Sequence, residues 1–316
     1  MTFLSLFTPT NIEVEREKFF DSSSYNPVFT YKRDLEDFNI YISKHPSKKT
    51  FAEALWSGNS ETITEAAKKY FVSDIDATIL KEASSIVDEG YRLFDISGND
   101  SQKLFDGMSE ALKFFEIDYK VVIKDARGFN VRPNHRFETV LISKYAELGL
   151  FSLDTSIKHE ITHVIRYVNK LHNESLRSKN HLSTEEGLAS YIGDYHAEGG
   201  FNSKFHHAAE YLATEISLKG SLRDVFNYFV NLKYPKEFSW QRAIRHKFGF
   251  INTQEPGDIM KPSMYFYYEN KVSKLSGNDI LKLFSGKISL DDLNMIDDYS
   301  GVIPKDKLVK YFNLQV

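Results

Sequence analysis

No cysteine occurs anywhere in the 316 residues. Disulfides and thiolate metal ligands are therefore excluded, and any metal centre must be built from histidine and carboxylate. The same absence fits a reducing compartment, and a cytoplasmic location is expected. No apolar run approaches the roughly 20 residues that span a bilayer. The first residues, Met1 to Phe7, are briefly apolar but lack a basic start and soon meet Pro9. They read as a first packed segment rather than a signal peptide. An excess of positive charge is also missing. With 40 Lys and Arg against 44 Asp and Glu, the formal net charge is −4. The lysines are dispersed, which argues against nucleic acid as a partner. Low-complexity tracts and internal repeats are absent.

What is present is apolar material for a sizeable core, 41% hydrophobic and 14% aromatic by residue. Helical periodicity runs through residues 11–21, with Asn11 as a candidate cap, and through 35–43, 61–71, 75–91 and 102–115. Tyr25 to Tyr31 reads as extended, because Pro27 disfavours helix at Asn26. Residues 119–123 and 139–142 are β-branched-rich and flank turn signals at Arg127-Gly128 and Arg132-Pro133-Asn134. They predict a small sheet, either a plain packing hairpin or an edge on which an extended peptide could lie. Helix returns at 203–218, 222–234 and 237–248. Residues 252–268 look less regular, and short helical patterns close the chain near 280–284 and 305–312. A single α+β, mostly helical domain over 1–316 is expected. Within it, residues 1–116 form a helical N-terminal region and residues 117–316 carry the site.

One stretch carries chemistry. His159-Glu160-Ile161-Thr162-His163 is a His-Glu-x-x-His pattern. Four residues along a helix is a rotation of roughly 40° and a rise of about 6 Å, so both imidazoles can reach one metal ion. The glutamate beside the first histidine is then placed to take a proton from a water activated by that metal. Random order of this composition would produce the pattern roughly 2% of the time. Context favours a helix. Ser152 or Asp154 can cap its start, and Leu153, Ile157, Ile161, Val164, Ile165 and Val168 trace one apolar stripe. His159, His163 and Arg166 fall on a neighbouring face. A third ligand is expected from Ser183-Thr184-Glu185-Glu186-Gly187-Leu188-Ala189, where a second helix starts and Glu186 is the candidate. Ser183 and Glu186 also have capping-box spacing, so Glu186 as a mere cap is the competing account. His181 or His196 is the fallback ligand, with His206 and His207 as further spare histidines. Asp194 is the candidate partner for the second nitrogen of a ligand histidine.

These motifs resemble those of the tyrosine/phenylalanine carboxypeptidase-like family, which includes bacterial QEGLA-motif proteins. His159 to Arg166 is similar to the family's metal helix, and Glu185-Glu186-Gly187-Leu188-Ala189 to its QEGLA motif, with Glu185 in place of glutamine. Tyr25 to Tyr31, Arg245 to Gly249 and Lys261 to Tyr268 are weaker likenesses. The family's metal helix usually carries one more residue, a glycine, between its histidines; here the spacing is the ordinary i, i+4. Phe248 stands where an arginine is expected. The resemblance implies a zincin-like metallopeptidase domain with a small sheet beside the metal helix. It implies a Zn²⁺ cofactor held by His159, His163 and Glu186, and Glu160 as the base. The implied substrate is a peptide or protein C-terminus, from which an aromatic residue is removed. A cation must then hold the terminal carboxylate. Arg245 and Lys261 are the candidates the resemblance points to, with Arg132, Arg136 and Arg166 as others, and Tyr265 or Tyr267 as donor or pocket wall. A zinc endopeptidase and a non-catalytic metal-binding protein are the rival readings, and the intact Glu160 argues against the second.

Overall fold

The structure is a computed structural model that describes residues 6–72, 74–90, 100–173, 176–178 and 180–316. Helix dominates, and a three-stranded sheet is its β component. In chain order the helices are α1 (Ile12–Asp21), α2 (Leu35–Lys44), α3 (Lys49–Ser57), α4 (Ser60–Tyr70), α5 (Ala77–Asp88), α6 (Ser101–Phe115), α7 (Leu153–His172), α8 (His181–Tyr195), α9 (Gly200–Lys219), α10 (Leu222–Asn231), α11 (Lys236–His246), α12 (Lys261–Val272), α13 (Gly277–Leu283) and α14 (Lys305–Phe312). Between α6 and α7 lie β1 (Lys120–Lys124), β2 (Val131–Asn134) and β3 (Thr139–Ser143). Among the described residues no helix is long and apolar enough to cross a membrane.

The chain divides into two compact units, Met1–Ser84 with Ala209–Met264, and Ser85–Ala208 with Tyr265–Val316. The division falls within α5, α9 and α12, so no linker-like composition marks it. The partition anticipated at residue 116 falls inside the second unit.

In the first unit, aromatic rings fill the core. Phe19 packs against Phe226 at 5.0 Å and Trp240 at 4.8 Å between ring centroids. Two buried cations donate to main-chain carbonyls. Arg223 donates to Phe19, Ser22 and Tyr25, and Lys247 to Ser217, Gly220, Glu255 and Gly257. Tyr25 to Tyr31 is extended, and Phe29 N–H donates to the Ile251 carbonyl at 2.8 Å. Asn11 stands at the N-cap position of α1, but its side chain makes no capping hydrogen bond. Its side chain instead donates to Val28 O and accepts from Thr30 N, pinning this extended segment. Leu6 and Phe7 are buried, whereas Met1 to Ser5, like Tyr91 at the end of the helix expected over 75–91, lie outside the described residues.

In the second unit, β1 and β3 pair in parallel and β2 joins β3 antiparallel, giving the order β1-β3-β2. This differs from the expected hairpin. The stretch Arg132-Pro133-Asn134, with its turn-like composition, is itself strand. Pro133 is tolerated because β2 is an edge. The buried residues of α7 follow the anticipated stripe: Ile157, Ile161, Val164 and Ile165 pack with Leu104, Met108 and Leu112 of α6, Val140 and Ile142 of β3, and Leu188 and Ile192 of α8. Each such side chain contributes about 1.5–3 kcal/mol relative to an exposed position. The stripe thereby fixes which face of α7 remains for chemistry.

Candidate metal centre

The side chain of Ser152 accepts from Thr155 N at 3.0 Å and starts α7. From there the helix is regular through His172, with no bulge at the histidines. The i, i+4 spacing brings His159 Nε2 and His163 Nε2 to 3.3 Å. Glu186 arrives from α8, its Oε2 3.6 Å from both nitrogens. The spacing is a quantitative match. Four ligands held tetrahedrally at 2.0–2.1 Å must stand about 3.3 Å apart, which is the requirement of zinc with His and carboxylate donors. The three atoms stand close to the spacing such an ion would need. Glu186 lies well inside α8, which begins at His181. The capping account of Glu186 is thereby removed, since a capping glutamate belongs in the first turn.

Charge in this group is strongly coupled. Burial opposes a positive His163, but Glu186 and Glu185 outweigh it and raise its pKa to about 10. Burial likewise opposes the Glu186 carboxylate, but His163 and His159 hold it well below the ordinary range. The Glu160 carboxyl is pushed up by burial and by Glu186, against the pull of His159 and His163. A carboxyl moved toward neutrality suits a group that must both take and return a proton.

The partner of the second His163 nitrogen is Glu185, not Asp194. Glu185 Oε1 lies 3.0 Å from His163 Nδ1 and also pairs with the buried ammonium of Lys287. Burial raises the Glu185 carboxyl, but His163 and Lys287 prevail and lower it. The contact assigns the Nδ1 hydrogen to the Glu185 side and turns Nε2 toward the ligand face. The resemblance to a glutamine-bearing motif marks Glu185 only as a departure. Lys287, 102 residues further along the chain, has no local signal.

A cleft of about 320 Å³ opens over this group, lined by Arg132, Pro133, His135, His159, Glu160, His163, Glu185, Glu186 and Tyr265. Arg132 and Pro133 come from the edge strand β2 and Tyr265 from α12. The chain is similar to a mouse protein, microtubule-associated tyrosine carboxypeptidase 1. Identity is 24% over 317 residues, an alignment that takes in 95% of this chain and 63% of the mouse protein. The chain therefore spans less than two thirds of that relative. No family model matches the sequence.

The remaining candidates are not among the residues that line this cleft. Arg166 is wholly buried and donates to the Gly286 and Ile288 carbonyls, so it cannot meet a substrate. Arg136 is exposed over the Phe137 ring. Tyr267 carries Lys271 over its ring, 4.5 Å from the centroid, and Tyr265 rather than Tyr267 lines the cleft. Arg245, on α11, and Lys261, at the start of α12, belong to the first unit. His181 lies 3.9 Å from Glu185, and its Nδ1 donates to the Ser178 carbonyl at 2.8 Å. Neither it nor His196 joins the ligand group. His206 packs edge-on against Phe151. His135, which no motif flags, lines the cleft and stacks on Tyr167 at 4.0 Å. A larger hollow of about 500 Å³ in the first unit is lined by Ile12, Arg16, Glu237 and Trp240 among others. Arg16 and Glu237 there form an ion pair with each other, and among the described residues the hollow holds no ligand group of this kind.

Proposed function

We propose that this chain is a zinc-dependent carboxypeptidase that removes an aromatic residue, tyrosine or phenylalanine, from the C-terminus of a peptide or protein. The observation that carries the reading is the ligand triangle of His159, His163 and Glu186, with sides of 3.3–3.6 Å, beside Glu160. The similarity to a tyrosine carboxypeptidase supports the reaction class and the aromatic preference.

Those three side chains would hold the ion. When bound, zinc supplies the Lewis acidity that makes water and a peptide carbonyl reactive near neutral pH. Glu160 takes the proton of the attacking water and returns it to the leaving amine. Glu185, itself held by Lys287, keeps the His163 ring in orientation. Tyr265 on the cleft wall is the candidate donor to the developing oxyanion. Arg132 is the cation that lines the cleft and has the planar fork a terminal carboxylate requires. Arg245 and Lys261 remain candidates through the family resemblance.

The deciding experiment uses paired peptides ending in Tyr, Phe or Leu, with free or amidated termini, incubated with the zinc-loaded protein and with Glu160→Gln. Release of the last residue from free ends alone, faster for Tyr and Phe than Leu, is expected. Replacing Glu160 should lower the rate by about 10²–10⁴-fold while zinc stays bound. Equal cleavage of amidated peptides would make the protein an endopeptidase, and absence of turnover with zinc bound would leave a binding protein.

A further inference from the structure

A second set of ionisable side chains meets in the interior of the second unit. Asp194 from the end of α8, His207 from α9 and Glu269 from α12 bring one ligand atom each within 4.8 Å of one another. Glu269 has no exposed surface, and Asp194 and His207 are 7% exposed each. His207 Nδ1 lies 2.7 Å from Asp194 Oδ2 and 3.6 Å from Glu269 Oε2. Both Glu269 oxygens and Asp194 Oδ1 are buried with no hydrogen-bond partner. Three buried carboxylate oxygens without a donor are expensive, and two carboxyls beside one imidazole need positive charge between them.

We propose that Asp194, His207 and Glu269 form a second, closed divalent-cation site that takes an ion of the zinc or manganese class. The donor set is one imidazole nitrogen and four carboxylate oxygens, with no thiolate, which selects borderline-to-hard divalent ions. One ion would satisfy the unpartnered oxygens together. Ligation requires the His207–Asp194 contact to open from 2.7 Å to about 3 Å or slightly more, a side-chain adjustment. Without an ion the same trio must hold protons instead. Burial and then Asp194 raise the Glu269 carboxyl well above its ordinary range.

The site is separate from the first. Asp194 follows Glu186 by eight residues on α8, about 12 Å along a helix axis, whereas paired catalytic metals stand about 3.5–4 Å apart. Its role is therefore structural, tying α8, α9 and α12 at one point. It also reaches the cleft, because the Tyr265 ring stacks on His207 at 5.6 Å and 10°. An ion held by His207 fixes a wall of the cleft.

Metal content decides the matter. The 316-residue protein is stripped with chelator, reloaded with Zn²⁺ or with Mn²⁺, desalted and measured by mass spectrometry of the metal. Wild type should retain two equivalents of at least one ion. The variant with both His159→Ala and His163→Ala should retain one, and adding Glu269→Gln should remove it. Asp194→Asn is the second route to the same loss if Glu269→Gln does not fold. The proposal is overturned if the His159/His163 variant, folded by circular dichroism, retains neither metal. It is equally overturned if the remaining equivalent survives Glu269→Gln and Asp194→Asn. The counts also keep the two sites apart. A single equivalent lost with His159 and His163 removes the second site alone, and a single equivalent that survives their loss removes the first.

Discussion

Glu185 and Lys287 form a buried ion pair across 102 residues of sequence, and the same carboxylate oxygen lies 3.0 Å from His163 Nδ1. Each partner depends on the other. Burial lowers the pKa of the Lys287 ammonium, and Glu185 offsets only part of that. Glu185→Gln keeps an acceptor for His163 but strands a buried ammonium, a loss of about 3–5 kcal/mol for a broken buried pair. Adding Lys287→Met should recover most of that stability. Zinc affinity should fall about 10–100-fold in both variants, because the carboxylate behind the ligand histidine is gone. Urea unfolding and competition with a chromogenic chelator read the two effects separately. If Lys287→Met brings no recovery in the Glu185→Gln background, the pair is not coupled as described.

The contrast between Glu186 and Lys287 marks how far the sequence can be read. Helix α7 is legible because its information is local: an apolar stripe at helical spacing, a capping serine and two histidines one turn apart. Glu186 is expected from the next helix, and the structure places its carboxylate beside the two histidines. Lys287 is not legible, because a buried partner 102 residues away leaves no periodic trace. The same holds for Asp194, His207 and Glu269, which three helices bring together. The sheet is half legible. Its strand-forming residues stand out, but the parallel pairing of β1 with β3 depends on where the intervening β2 goes. Helix α12 has an irregular look in sequence because of Pro262 and four consecutive aromatics from Tyr265. Pro262 occupies the first turn, where its missing N–H costs nothing. Helix α3, Lys49–Ser57, has no such signal. Its buried Phe51, Ala52, Ala54 and Leu55 crowd into little more than one turn and set up no repeat.

Arg132 lines the cleft, with its guanidinium 4.6 Å from the Phe129 ring centroid. If it binds the terminal carboxylate, Arg132→Gln should raise KM for free-ended peptides by about 10–100-fold, the worth of a hydrogen bond to a charged group. The turnover number should change little. Arg245→Gln and Lys261→Gln, assayed side by side, test the alternatives from the family resemblance. A KM unchanged by Arg132→Gln but raised by either of the others would move the clamp to that residue.

His135 is half-buried, 3.2 Å from the Tyr119 hydroxyl and stacked on Tyr167. Burial, aided by Lys287, depresses its pKa from 6.5 to about 4. The folded protein therefore declines a proton that the unfolded chain accepts. The stability tied to a neutral His135 is complete above about pH 6.5 and is lost as pH falls toward 4, by no more than about 3 kcal/mol. Unfolding free energies of wild type and His135→Gln should thus converge or cross on going from pH 7.5 to 4.5. Parallel curves would show that His135 titrates normally, and NMR of its ring protons would give the pKa directly.

Gly187 follows Glu186 on α8, where α8 packs against the Tyr268–Glu269 backbone of α12. A Cβ at this position would press on the Tyr268 Cβ, lie 2.7 Å from the Tyr268 carbonyl carbon and 3.0 Å from Glu269 N. Two of those three atoms are backbone and cannot rotate away. Gly187→Ala must therefore push the helices apart, although alanine is the better helix former by about 1 kcal/mol. Overpacking of this kind costs about 1–3 kcal/mol, enough to outweigh that gain. The displacement acts on Glu186 at the preceding residue, so zinc affinity should fall along with stability. It also shifts Glu269, whose backbone nitrogen faces the same position. Gly107→Ala on α6 is the control. Its Cβ would meet the end of the Ile157 side chain, a flexible group on the core face of α7 rather than backbone. Loss of zinc affinity in Gly187→Ala but not in Gly107→Ala, at matched loss of melting temperature, is the expected result. Equal affinity in the two would mean that the close approach of α8 and α12 serves packing alone.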